Sequence, residues 1–372
     1  MNFDLSEEQE AVRGLAEQIF QGSATVERVK AIEASDERID RDLWRALAAA
    51  NVLGLALPED VGGSGLGMIE LCLVLEQQGR VVAPVPLWAT VVCAALPIAE
   101  HGTPAQRERW LPGIVAGNVI ATAALAETGV NDPFRSGVRA TRDGDEWRLD
   151  GFKPSVPAGH VADVVLVPAA TDDGIAVFLV EAAAEGLGRD IAPTTDRSLI
   201  AHLHFDGVRA EPLGDAATGE RTLAWTVDRA LLGLSAIQVG VCEAALVMAA
   251  TYTNGRTQFD RPLASFQGAQ LKAADAYIDT EGIRVTMLQA AWKVDAGRDA
   301  STDVLVAKWW ASEAGQHAVH VTQHLHGGMG ADIDYPVHRY FLWGKQIEDT
   351  LGGASVQLAR LGRALAESGA NA

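Results

Sequence analysis

The sequence predicts a mostly helical α+β protein in three consecutive parts, and two changes of texture along the chain carry that prediction. Residues 1–118 and 219–372 repeat apolar side chains at helical intervals, whereas residues 119–218 break into short β-branched runs separated by turn residues. A length of 372 residues is also more than one small core accommodates. The expected order is an N-terminal helical domain (1–118), a middle β-sheet domain (119–218) and a C-terminal four-helix bundle (219–372).

In the first part, Ser6 and Gln9 have capping-box spacing, and Val12, Leu15, Ala16 and Ile19 follow at helical intervals. A second helix is expected over about residues 43–51. It ends in GLALPEDVGGSGLG, where Pro58, Gly62, Gly63, Gly65 and Gly67 cannot continue it. In the middle part VRAT, EWRLDG, ADVVLVPA, GIAVFLVE and LIAHLHFDGV are each of strand length. The third part reads as roughly four long helices of about 20 to 35 residues. It is interrupted at residues 254–262 and 327–336, and Gly233, Ala236 and Gly240 allow close helix approach. The most apolar stretch, residues 230–250, carries Gln238 and Glu243 in its middle, which suits a buried core helix better than a membrane span.

The formal net charge of -19 repels phosphate and disfavours nucleic acid or an anionic membrane as a general partner. Any phosphorylated ligand must then meet a local basic patch. Cys72, Cys93 and Cys242 are scattered in apolar surroundings, as expected of buried thiols in a reducing compartment. The acidic N-terminus has no secretory pattern, so the expected location is the cytoplasm.

Residues 252–271, YTNGRTQFDRPLASFQGAQL, form the most informative stretch. Pro262 interrupts the helical period once, which predicts a helix end, a tight corner and a helix start. On that corner Arg256 can neutralise a phosphate, Phe259 can cover a flat ring, and Gln267 can hydrogen-bond an anionic or amide edge. Those side chains suit a nucleotide cofactor, and they equally suit an ordinary helical hairpin with one solvated Arg.

The same string resembles the R-x-Q-F-G-x-P-(x)n-F-Q signature of the acyl-CoA dehydrogenase family. PEDVGGSGLG resembles that family's glycine loop, and GTPAQRERWLPGIVAGNVIATAALAE is similar to its segment leading into L-T-E, with Gly102, Gln106, Leu111, Pro112 and Gly117 in place. HLHGGMG resembles its Q-x-x-G-G loop, with His324 in place of Gln and Gly327 and Gly328 retained. The resemblance implies the acyl-CoA dehydrogenase fold, FAD as cofactor and a CoA thioester as substrate. It further implies that Arg256, Phe259, Gln267, His324, Gly327 and Gly328 bind the ADP side of an FAD belonging to a neighbouring subunit.

Other family positions are altered. Where the family has L-T-E-P-x-A-G-S-D, this chain has Leu125-Ala126-Glu127-Thr128-Gly129-Val130-Asn131-Asp132, and Ala126 cannot donate a hydrogen bond. Where the family has G-x-K-x-W-I-T-N, Ser155 stands for the Trp and Pro157 for the Thr, with Ala162-Asp163 securing the frame. An aromatic face and a hydroxyl are lost from the flavin-ring seat. The carboxylate base of I-Y-E-G-T falls on Leu351, which cannot take a proton. A second group of members uses a Glu-Arg pair early in the first bundle helix, and Asp228-Arg229 stands there. Asp is one methylene short, and a misplacement of about 1 Å costs roughly 100-fold in rate, so Asp228 is a weak candidate base. Glu348 and Asp349 are expected to share a helix with Leu351 but to face elsewhere. His317, His320, His324 and His326 have helix-face spacing, but no other ligand cluster accompanies them and no metal site is expected.

Loss of the ring seat and base, with retention of the ADP corner, resembles the smaller, non-catalytic subunit of the α2β2 acyl-CoA dehydrogenases of actinobacterial steroid side-chain degradation. That resemblance implies a catalytic paralogue as partner, a cholesterol-type side-chain CoA ester as substrate and an electron-transfer flavoprotein as electron acceptor. The alternatives are a homo-oligomeric dehydrogenase using Asp228 as base, and a flavin-free scaffold subunit.

Overall fold

The computed structural model describes residues 3–129, 132–144 and 146–370. Val130 and Asn131, within the altered ring-seat string, lie outside the described residues. Along the chain the elements run in the expected order, helical, β and helical. Its contacts gather it into two compact units that do not follow this order. Residues 1–31, 68–83 and 231–372 form one, and residues 32–67 and 84–230 form the other.

The helical unit contains α1 (Glu7–Ser23), whose Ser6–Gln9 capping box is formed, most of the short helix α2 (Val26–Glu33), and α4 (Met68–Arg80); α3 (Arg41–Ala49) belongs to the other unit. Where α4 meets the long helix α7 (Gly219–Gly255), a Cβ on Gly240 would stand 1.9 Å from the Glu76 carbonyl oxygen, so only glycine permits that approach. Arg284 spans Glu76 (2.7 Å) and Glu243 (2.6 Å), and Arg80 also pairs with Glu243. Burial pushes the Glu76 carboxyl above the usual range, opposed by Arg284 and Arg80. The part of α7 beyond residue 230 belongs to this unit. The helix is long and apolar enough to cross a bilayer, but its most apolar stretch is mostly buried in the protein, as in a core helix.

After α7 the bundle differs from the expected four long helices. Helices α8 (Gln267–Asp295) and α9 (Ser301–Leu325) are long, but the remainder is split into α10 (Val337–Asp349) and α11 (Ala354–Ala370). The break lies at Leu351 (φ 60°) and Gly352 (φ 101°), both in the left-handed region. Leu351 therefore does not share a helix with Glu348 and Asp349; it sits in the turn after them. That turn is tied by Lys308, whose buried ammonium donates to the Ile347 and Glu348 carbonyls (3.0 Å each) and to Ser312 Oγ (2.7 Å). Gln357 donates to the Leu351 and Gly352 carbonyls (3.0 and 2.8 Å).

The second unit is built on seven strands, β1 (Ala121–Ala123), β2 (Val138–Asp143), β3 (Glu146–Pro157), β4 (Val164–Thr171), β5 (Gly174–Glu181), β6 (Leu187–Pro193) and β7 (Leu199–Pro212). They run in the order β1-β4-β2-β3-β7-β5, β5 pairs back onto β4 to close a ring, and β6 lies on β7. The continuous apolar run of β4 is buried along most of its length, while β7 alternates inward and outward residues. β1 and β6 add two strands to the five legible in sequence. A buried ion pair between Lys153 and Glu127 links β3 to the segment after β1, and Glu127 Oε2 also accepts the Gly137 N–H (2.8 Å). Helices α5 (Leu96–His101) and α6 (Pro104–Val115) belong to this unit, the latter opened by a Thr103–Gln106 capping box.

Candidate functional site

The corner after α7 is a two-strand hairpin, β8 (Thr257–Gln258) and β9 (Arg261–Pro262), followed by one 3-10 turn and the start of α8. Phe259 (φ 54°) and Asp260 (φ 62°) both adopt left-handed backbone at its tip, which makes a type I′ turn without glycine. Holding a bulky aromatic residue there costs about 1–3 kcal/mol. The turn spends that cost on projecting Phe259, which is 86% exposed. Arg261 is drawn over the Phe266 ring at 3.9 Å, whereas Arg256 is exposed and, among the described residues, paired with no carboxylate. Gln267 opens α8, whose N-terminus has no side-chain cap, so its first N–H groups remain available.

The second corner follows α9. His324 is exposed, Gly327 has φ 58°, and a Cβ built on Gly327 or Gly328 would meet nothing within 4 Å. Their backbone is therefore open to a ligand rather than required by packing. A stack of rings brings the two corners together. His326 lies against Tyr252 (centroids 4.8 Å, 30°) and Tyr335 (5.2 Å), and the Tyr252 carbonyl accepts the Arg256 N–H at 2.9 Å. Sequence reasoning assigned no role to Tyr252, His326 or Tyr335. The only available signal was the adjacency of His326 to Gly327. The four histidines diverge: His317 pairs with Asp279, His320 meets Phe341 edge-on at 4.7 Å, His324 is exposed and His326 is stacked.

Asp228 and the altered ring-seat residues belong to the other compact unit. Asp228 is half-buried in the first third of α7; beside it Arg229 lies 3.4 Å over the Trp225 ring, and Trp225 meets His101 edge-on at 5.1 Å. At the ring-seat positions β3 bulges between Lys153 and Val156, and Ser155 has φ 51°. Its N–H donates to His202 Nδ1 at 3.1 Å. The His202 ring stacks near Phe152 (6.0 Å, 26°), which tilts against His204 (4.9 Å), itself hydrogen-bonded to Asp190 (2.8 Å). The Pro157 carbonyl accepts the Thr122 hydroxyl at 2.6 Å. The Ser155 N–H and the Pro157 carbonyl are thus partnered within the surface, and Ala126 adds no donor.

FAD therefore fits the two regions unequally. The paired corners offer a guanidinium with no carboxylate partner among the described residues, open glycine backbone and an uncapped helix start, as an adenosine diphosphate end requires. The strand surface offers His202 where a ring seat would need a free amide and an aromatic face. All three cysteines are buried, and burial pushes the Cys242 thiol up to about 12, so they supply no nucleophile.

Residues 6–118 match the N-terminal domain of acyl-CoA dehydrogenases, and residues 218–366 match the C-terminal domain. The chain is 40% identical to "Acyl-CoA dehydrogenase FadE27" of Mycobacterium tuberculosis, over 99% of this chain and 100% of that one. Among solved structures it is similar to a chain of a variant of the Tcur3481-Tcur3483 steroid ACAD (51% identity, TM-score 0.94, 98% and 99% covered). It is also similar to a chain of the ChsE4-ChsE5 complex from Mycobacterium tuberculosis (41% identity, TM-score 0.93, 99% of both covered).

Proposed function

Since the chain belongs to the acyl-CoA dehydrogenase family of FAD-dependent oxidoreductases, we propose that it is the nucleotide-gripping subunit of a two-chain enzyme. In this reading a catalytic paralogue carries the flavin ring and the base, and the assembly is α2β2. The observation that carries it is the contrast between an exposed Arg256, joined through the Tyr252–His326 stack to open glycines, and a strand surface whose Ser155 N–H is tied to His202.

Arg256 would bind a phosphate of the cofactor, with the Gly327 and Gly328 amides and Gln267 hydrogen-bonding the rest of the ADP portion. Phe259 would cover a flat ring, and His324 would take the place of the family's Gln. Leu351, held in its turn by Gln357, supplies no proton acceptor, so the α-proton of the thioester goes to the partner's carboxylate. Bound FAD supplies the acceptor for the β-hydrogen as hydride. The likeness to a steroid dehydrogenase and to a two-component complex supports a CoA ester of a steroid side chain as substrate, with an electron-transfer flavoprotein for reoxidation.

Acyl-CoA dehydrogenation measured with the chain alone, and with a co-expressed paralogue that has Trp and Glu at the positions of Ser155 and Leu351, tests the reading. Turnover only in the two-chain sample is the expected result. Turnover by the chain alone, abolished by Asp228→Asn, would establish the homo-oligomeric alternative. A two-chain complex without flavin would establish the scaffold.

A further inference from the structure

Two non-glycine residues at the end of β3 hold left-handed backbone, Ser155 at φ 51° and Ala158 at φ 52°. Such residues are strained and persist only where neighbouring interactions hold them in place. At Ser155 the ladder to β7 is interrupted. Lys153 pairs with Leu203 and Val156 with Ala201, so Pro154 and Ser155 together stand opposite His202 and form a bulge. Pro154 has no N–H to give, and the Ser155 N–H turns to the His202 ring, donating to Nδ1 at 3.1 Å. A side chain has taken the place of a ladder acceptor.

The direction of that bond fixes the state of the ring. A backbone N–H can only donate, so Nδ1 must present its lone pair, and the single ring proton of neutral His202 sits on Nε2. A second proton would go to Nδ1 and turn the acceptor into a donor. His202 can therefore carry a positive charge or hold the Ser155 N–H, but not both. Imidazole is the side-chain type that changes charge within about pH 5–8, and this ring is only half-buried, within reach of solvent. The charged groups of the surrounding strands are few. Asp190, the cross-strand partner on β6, lies 2.8 Å from His204 Nε2, and the Phe152 ring lies against both His202 and His204. Lys153 of β3 is paired with Glu127, and Arg189 of β6 donates to the Ala182 carbonyl.

We propose that His202 is a proton-released latch on the Ser155 bulge: the neutral ring holds the left-handed turn, and the imidazolium lets residues 154–156 relax toward unstrained backbone. The change is confined to the bulge, because the Pro157 carbonyl just beyond it accepts the Thr122 hydroxyl at 2.6 Å. The latch is a property of this chain by itself, and it stands or falls separately from the division of the flavin site between two chains.

Amide hydrogen exchange at Ser155, resolved by NMR of the isotope-labelled chain, tests the latch. After correction for the intrinsic pH dependence of exchange, protection of the Ser155 amide should fall about tenfold between about pH 8 and about pH 5. Ring-nitrogen shifts at the upper pH should show His202 with its proton on Nε2. His202→Asn offers an acceptor oxygen that takes no proton, so protection should stop varying with pH. His202→Phe keeps a ring against Phe152 and offers no acceptor, so protection should be low at both ends. Constant protection in the wild type would overturn the inference whether or not either variant folds, and so would a wild-type ring proton on Nδ1 at the upper pH. A fall that persists in His202→Asn or His202→Phe would move the titrating group to a neighbour such as His204 or Asp190, and would overturn it equally.

Discussion

The paired corners of the helical unit and the strand surface around Ser155 offer opposite chemistry. At the corners, strain is used to expose groups: Phe259 and Asp260 hold left-handed backbone without glycine, Phe259 projects into solvent, and Arg256 has no carboxylate beside it among the described residues. On the strand surface Ser155 also holds left-handed backbone, but its N–H is satisfied by His202. Similar backbone outliers thus serve opposite ends. Side-chain partnering distinguishes the two surfaces, and the dihedral angle by itself does not.

The comparison can be broken most forcefully at Arg256. Arg256→Ala removes a charge-assisted phosphate contact worth about 1.5–3 kcal/mol, so FAD should dissociate from the two-chain complex roughly 10- to 100-fold more readily. Flavin retained as in the wild type would remove Arg256 from the site.

A second test concerns the turn that carries Leu351. Lys308→Met strips the donor from the Ile347 and Glu348 carbonyls and should lower stability by about 3 kcal/mol, read by denaturant unfolding. Burial pulls the Lys308 pKa down to about 7. The unfolded chain keeps this lysine protonated up to about pH 10. Between those limits the unfolded state binds more protons, so this group makes stability rise with pH across the window. Lys308→Met should flatten that rise, and an unchanged slope would show that the ammonium is not the titrating group.

The smallest effects are expected on the strand side. His202→Ala frees the Ser155 N–H but restores neither the aromatic face nor the hydroxyl, so the flavin content of the complex should change less than about twofold. Asp228→Asn should likewise leave turnover of the two-chain complex within about twofold if, as proposed, the base comes from the partner. A loss near 100-fold would make Asp228 the base after all.

Much of this contrast was legible in the sequence, because glycine, proline and hydroxyl losses report directly on backbone and hydrogen-bonding capacity. The corner was visible from Pro262 and the broken helical period. The I′ turn was not, since Phe-Asp in the left-handed region is held by the hairpin rather than by local preference. β1 is only three residues long and β6 mixes charged with apolar residues, so neither gave a period. The break at Leu351 was missed because Lys308, distant in sequence, satisfies the carbonyls that a helix end leaves open. His326 was hidden for a similar reason: its burial and its stack on Tyr252 belong to the assembled corners, and the motif pointed to its neighbour His324 instead.

The division of a flavin site between unlike chains is tested most directly by counting flavin. Absorbance of FAD released on denaturation, set against protein concentration, should give one FAD per pair of unlike chains in the complex and none in the chain purified alone. One tightly held FAD for every copy of the lone chain would contradict the account.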